Sequence, residues 1–155
     1  IVVATSKEDQ NDQLQSVVES LGYQCFRGCE KDVLNRLYES AKSVNADVIV
    51  RITGDCPLVD PVLVDQCIQG FKKSKVDYFS NVNPATYPDG LDIEVMSFTS
   101  IERANNEANS EFDRDFANKI NNAIPIKATV VIIYLNLIHL SHILLTQTLR
   151  SMIYH

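Results

Sequence analysis

An α/β layered domain on a mostly parallel sheet is the fold class that this 155-residue chain predicts. Three observations predict it. Short strand-like runs, β-branched at residues 1–4 and 48–52 and Val76-Asp77-Tyr78-Phe79-Ser80 at 76–80, alternate with stretches of helical apolar spacing. The alternation repeats at roughly two dozen residues, as right-handed βαβ crossovers require. Glycine and proline (Gly22, Gly54, Pro57, Pro61) mark the boundaries, where strands and helices cannot run on.

Taken in order, Ile1-Val2-Val3-Ala4 reads as a strand, and Thr5-Ser6 as the cap of the helix that follows. Leu14, Val17, Val18 and Leu21 fall on one helical face. Gly22 ends that helix in the position after its C-cap. Cys25-Phe26 is a short strand, and residues 27–31 are a loop. Val33, Leu34, Leu37, Tyr38, Ala41 and Val44 form a second helical stripe. The run at 48–52 is a strand buried on both faces, broken only by Arg51. Val62, Val64, Cys67, Ile68 and Phe71 give a third stripe, and 76–80 a fourth strand. Residues 81–90 form a polar loop with two prolines and a glycine. Leu91 to Met96 then alternates apolar and acidic residues. Two readings fit that last strand: a pocket wall, or an exposed strand with a solvated acidic face.

Asp55 lies just past the carboxyl end of the 48–52 strand, where open parallel sheets bind ligands. A carboxylate there can hold a divalent cation against a phosphate. It can equally cap the next turn or helix, and the residues alone leave both readings open.

Composition bounds the partners. A chain of this length forms one domain with a sizeable core. With 45% hydrophobic and 22% charged residues it is an ordinary globular composition. The net charge of −6 argues against a nucleic-acid partner, which calls for a basic face. The four cysteines, Cys25, Cys29, Cys56 and Cys67, match no zinc spacing and suggest reduced thiols in a cytoplasmic protein. Residues 128–149 approach a membrane span in length. Their interspersed Asn136, His139, His142 and Gln147 argue instead for a buried strand plus helix or an unnatural tail, with no membrane partner. No carboxylate or cysteine lies near the two histidines to complete a metal site.

The blocks Arg51-Ile52-Thr53-Gly54-Asp55-Cys56-Pro57-Leu58, Asp77-Tyr78-Phe79-Ser80-Asn81 and Tyr87-Pro88-Asp89-Gly90-Leu91-Asp92-Ile93-Glu94-Val95 follow one another in order. With Ile1 to Ser6 and the stretch from Cys25 to Arg36, they resemble the cytidylyltransferase family of the spore coat polysaccharide biosynthesis type, related to the acylneuraminate cytidylyltransferases. The resemblance implies a three-layer α/β/α, nucleotide-diphospho-sugar transferase-like (Rossmann-like) fold. It also implies a reaction: a sugar activated by a nucleoside triphosphate, CTP in the family, with release of pyrophosphate. It places Asp55 as the catalytic Mg²⁺ ligand. From the sugar-side block Asp89 or Asp92, with Asp92 taken as the metal ligand, is expected either to supply a second ligand or to hold a sugar hydroxyl. Arg27, Gly28, Arg36, Arg51 and Gly54 fall on the nucleotide side, and Asn81, Tyr87, Asp89 and Asp92 on the sugar side. Arg51 is expected to neutralise a phosphate, to pair with Asp55 or Asp92, or to form a purely structural buried pair.

The resemblance spans about residues 1–120. Residues 1–123 are therefore expected to form a partial nucleotidyltransferase domain, and 124–155 an unrecognised apolar tail. The chain opens inside an apolar run at what resembles the family's second strand, so the fold is expected to be incomplete, a fragment without the family's Gly/Arg/Lys-rich triphosphate loop. Such a chain is expected to be inactive alone; a homodimer is possible in principle. The alternatives are a non-catalytic remnant or partner-binding module of the same fold, and a sugar-nucleotide-using glycosyltransferase. The single acid in Gly54-Asp55-Cys56-Pro57, in place of an Asp-x-Asp motif, favours the synthetase.

Overall fold

Strands β1 (Val2–Ser6), β2 (Gln24–Gly28), β3 (Val48–Thr53), β4 (Tyr78–Ser80), β5 (Glu94–Ser97) and β6 (Thr129–Tyr134) join in one sheet, in the order β2-β1-β6-β3-β5-β4. The computed structural model describes residues 1–82 and 84–114, together with the backbone of β6. β1 is parallel to β2. β6 is antiparallel to both β1 and β3, and β5 is antiparallel to both β3 and β4. The four strands of the β-α alternation therefore all point one way, and the two reversed strands lie between them.

The crossovers put helices on both faces, giving three layers. Helices α1 (Asp12–Ser20) and α3 (Pro61–Ser74) cover one face, packing Val18, Leu63, Val64, Cys67 and Ile68 against Val3, Val50, Ile52, Ile93 and Val95. Helices α2 (Val33–Ser43) and α4 (Phe98–Glu107) cover the other, packing Leu34, Leu37, Ala41 and Ile101 against Val2, Ala4, Ile49 and Met96. Alternate residues of β3 divide between the two cores, as a strand covered on both sides requires. A short α5 (Glu111–Arg114) is tied to α2 by the Arg114–Asp32 ion pair at 3.0 Å.

Helix boundaries follow local chemistry. Asp60 caps α3 by accepting from the Val62 N–H at 2.8 Å, with Pro61 in the first turn. Asp32 caps α2 through the Asn35 N–H at 3.0 Å. Gly22, at φ +81°, closes α1: its N–H reaches Glu19 O and the Tyr23 N–H reaches Val18 O.

Several expectations are corrected. Thr5 and Ser6 do not cap α1; they complete β1, and the Ser6 hydroxyl accepts from Asn11 Nδ2 at 2.7 Å. A 3₁₀ turn (Asp9–Asn11) precedes the helix. Arg27 and Gly28 belong to β2 and not to a loop. Leu21 and Val62 are exposed, because the first lies past the end of α1 and the second in the first turn of α3, whose inward place goes to Leu63. The strand expected at 91–96 begins only at Glu94, and that acid is buried. In the apolar tail a strand is found, β6, hydrogen-bonded into the centre of the same sheet. The rest of the tail expectation, helix and membrane span included, lies outside the described residues. Among those described, no helix is long and apolar enough to cross a membrane.

Candidate active site at the carboxyl ends of the parallel strands

Because β1 to β4 share a direction, they end at one edge of the sheet, at Ser6, Gly28, Thr53 and Ser80. β5 runs the other way and begins there, so the 89–93 segment meets the 53–57 turn. Topology alone thus gathers residues far apart in sequence.

Asp55 is exposed on this edge, one residue past the Gly54 turn. Its Oδ1 accepts from the Thr53 hydroxyl, and the Cys56 thiol lies 3.4 Å from Thr53 Oγ1. The Cys56 N–H closes the turn on Thr53 O at 3.0 Å. Asp60, not Asp55, caps the helix that follows, which leaves the Asp55 carboxylate facing solvent.

Asp92 is half-buried, and its backbone N–H lies against the buried Cys56 thiol. Burial pushes the Asp92 carboxyl up, and the charges of Asp89, Asp55 and Glu94 push it further, against the pull of Arg51. Asp55, Asp89 and Asp92 therefore share one electrostatic field. An all-oxygen set of this kind suits a hard cation: Mg²⁺ is usually bound through one or two carboxylates, with phosphates and waters completing its shell. Among the described residues no group of three His, Cys, Asp or Glu side chains is placed to hold a metal ion.

The sugar-side residues divide. Asp89 is exposed, its Oδ1 accepting from the Gly90 N–H at 3.1 Å, and Gly90 takes φ +89°, where an L side chain is strained. Tyr87 is exposed on the same loop. Asn81 is buried, and both ends of its amide are committed to backbone: Nδ2 donates to Leu91 O at 2.8 Å, and Oδ1 accepts from the Ile93 N–H at 2.8 Å.

The three arginines are engaged within the protein. Arg51, directly opposite Glu94 in the β3–β5 register, is buried in an ion pair with Glu94, not with Asp55 or Asp92. Tyr78 donates to the other Glu94 oxygen at 2.6 Å, and burial and the Glu94 charge raise its phenol pKa well above the ordinary range. Arg36 is buried beneath the loop after β2, where Nη1 donates to Cys29 O at 2.7 Å and Glu30 O at 3.2 Å. Burial lowers its pKa. A Cβ on Gly28 would lie 2.7 Å from Arg36 Cγ, so only glycine admits this packing. Arg27 clamps the turn above α1, donating to Ser6 O at 2.5 Å, Gln15 Oε1 at 2.7 Å, Glu8 O at 3.0 Å and Asp12 Oδ1 at 2.9 Å.

Sequence reasoning passed over Glu94, Tyr78 and Cys56. The signal for Glu94 was present: an arginine inside a buried strand needs a buried acid, and Glu94 lies between buried Ile93 and Val95.

Comparison with known proteins places the fold in a family. A family model described as cytidylyltransferase matches residues 1–129. An uncharacterised protein of Methanocaldococcus jannaschii is 39% identical over 115 residues, covering 74% of this chain and 46% of that protein. The spore coat polysaccharide biosynthesis protein SpsF of Bacillus subtilis is 40% identical over 78 residues, covering 50% of this chain and 32% of its own length. A solved cytidylyltransferase from Leptospira borgpetersenii superimposes with a TM-score of 0.70 at 28% identity, over 76% of this chain and 52% of that one. The chain thus spans about half, or less, of the length of the relatives it matches. With a match across 129 residues and a sheet edge that gathers the acids of its blocks, the chain belongs to the cytidylyltransferase family.

Proposed function

We propose that this chain carries the carboxylate side of a nucleotidyl-transfer site, where CTP is joined to a sugar for polysaccharide synthesis. A sugar oxygen attacks the α-phosphorus, the bond to pyrophosphate breaks, and the proton of the attacking hydroxyl leaves to solvent. Such transfer depends on positioning and charge neutralisation. Asp55 and Asp92 would hold Mg²⁺, which when bound offsets the charge at phosphorus. Asp89 and Tyr87, exposed on the adjoining loop, would face the sugar. The observation that carries the reading is the strand topology: β5 runs antiparallel to β3, so the Asp92 segment enters beside the Asp55 turn, with the Asp92 backbone against Cys56.

A triphosphate also needs oriented N–H groups and cationic side chains near its outer phosphates. Here Arg27 and Arg36 donate to the protein's own oxygens, and the five glycines form no cluster. We therefore expect the 155-residue chain alone to bind CTP weakly by calorimetry and to release no pyrophosphate. Mn²⁺ is the probe for the carboxylates. By electron paramagnetic resonance, Asp55→Asn and Asp92→Asn should each weaken Mn²⁺ binding by roughly tenfold or more, with the circular dichroism spectrum preserved. Unchanged affinity in both variants overturns the assignment.

A further inference from the structure

We infer that Asn81 is a positioning residue that sets the place of Asp92, not a group that touches the sugar. The inference rests on the metal reading of Asp92 given above. Asn81 follows β4 directly, and the β4–β5 ladder ends at the Ser80–Glu94 pair. One step further Asn81 still donates its backbone N–H to Ile93 O at 3.3 Å. Its side chain then takes over the work of a strand. Oδ1 accepts from the Ile93 N–H and Nδ2 donates to Leu91 O, each at 2.8 Å. Those two backbone groups flank Asp92 on either side. The segment carrying the carboxylate is held at both ends by one planar amide.

Only an amide supplies both halves of this hold. A carboxylate accepts but does not donate, and a hydroxyl is too short to span Leu91 O and the Ile93 N–H together. The main chain of Asn81 serves a second segment: its carbonyl accepts from the Thr86 N–H at 3.1 Å and from Thr86 Oγ1 at 3.2 Å. The polar loop thus turns back on Asn81 and leaves the β5 edge. This frees Asp92 from strand pairing with the loop, and its backbone N–H lies against Cys56 in the Asp55 turn. Asn81 is buried, so its amide is withdrawn from any ligand in solvent. Its consequence for chemistry passes through Asp92 alone.

The test reads Mn²⁺ binding to the 155-residue chain by electron paramagnetic resonance, with affinity and stoichiometry fitted separately. Asn81→Ala should raise the Mn²⁺ dissociation constant by roughly tenfold, as loss of an outer-shell partner does, at unchanged stoichiometry. Irreversibly unfolded chain would lower the stoichiometry and leave the affinity alone, whereas reversible unfolding raises the apparent dissociation constant by the reciprocal of the folded fraction. The affinity is therefore read only on variants whose circular dichroism spectrum matches the parent's. Thr86→Val, which removes only a loop contact to the Asn81 carbonyl, should stay within about twofold of the parent. If Asn81→Ala does not fold, Asn81→Ser is read in its place by the same two quantities. Weakened affinity in Asp92→Asn with parental affinity in the Asn81 variant overturns the positioning role and leaves the metal reading standing. Parental affinity in Asp92→Asn overturns the metal reading, and this inference with it.

Discussion

Arg51 and Glu94 hold each other across β3 and β5, both side chains almost fully shielded from solvent. A buried pair of this kind gains little over an apolar pair of similar volume, but removing one member strands the other's charge. Arg51→Leu should therefore destabilise the protein by about 3–5 kcal/mol in urea unfolding, and the double variant Arg51→Leu with Glu94→Leu should recover most of the loss. A double variant no more stable than the single one would show that the pair's charges are not what matters. The Arg51 case also shows what sequence can tell about a residue. An arginine within a β-branched run announces a buried partner. Its choice of Glu94 over Asp55 or Asp92 follows from strand register, which brings residues 51 and 94 face to face and cannot be read from either segment alone.

The elements themselves were legible wherever one period dominates. The stripe from Val33 to Val44 became α2, and the run around Val50 became β3, because apolar spacing and buried face coincide there. Ends were harder. β5 is shorter than its alternating pattern, because Asn81 takes the place of a ladder partner at Ile93. Arg27 and Gly28 looked like loop because glycine and charge usually mark one, yet pairing with Thr5 and Ser6 keeps them in β2. Gly28 is there for space: α2 crosses so close that Arg36 Cβ and Cγ lie 3.0 Å and 2.7 Å from where a Cβ would sit. Gly28→Ala should force Arg36 off its two carbonyl partners or push α2 away, at the ~1–3 kcal/mol typical of overpacking. A thermal midpoint equal to the parent's would show that the contact yields freely.

At the scale of the whole molecule, layered architecture was readable from alternation, while the interleaving of β5 and β6 among parallel strands was not, since strand order is a property of long-range pairing. The place of Asp55 just past a strand's carboxyl end was legible, because the β-branched run stops at Gly54; the approach of the Asp92 segment to it required the reversed direction of β5. The same layers bury the Cys56 and Cys67 thiols, half-bury Cys25, and turn the Tyr78 hydroxyl in towards Glu94 while the rest of that side chain stays part exposed. Burial is the first cause raising the Cys25, Cys56 and Cys67 thiols above their ordinary value of 9.0, and the Tyr78 phenol rises by burial and by the Glu94 charge. A group with a raised folded pKa holds its proton longer in the native state than in the unfolded one. Its stabilising contribution is complete below the unfolded pKa and is lost as pH climbs towards the folded one. The window therefore opens near pH 9.0 for the thiols and near 10.0 for Tyr78. Urea unfolding from about pH 8 to about pH 10.5 should show stability falling with pH, because above the thiol pKa the unfolded chain binds fewer protons than the native one. Cys67→Ala, in a helix buried against the sheet, should lower stability at pH 8 through its cavity but flatten the alkaline slope. A slope that stays flat in the parent, or rises, would mean that burial does not hold these protons.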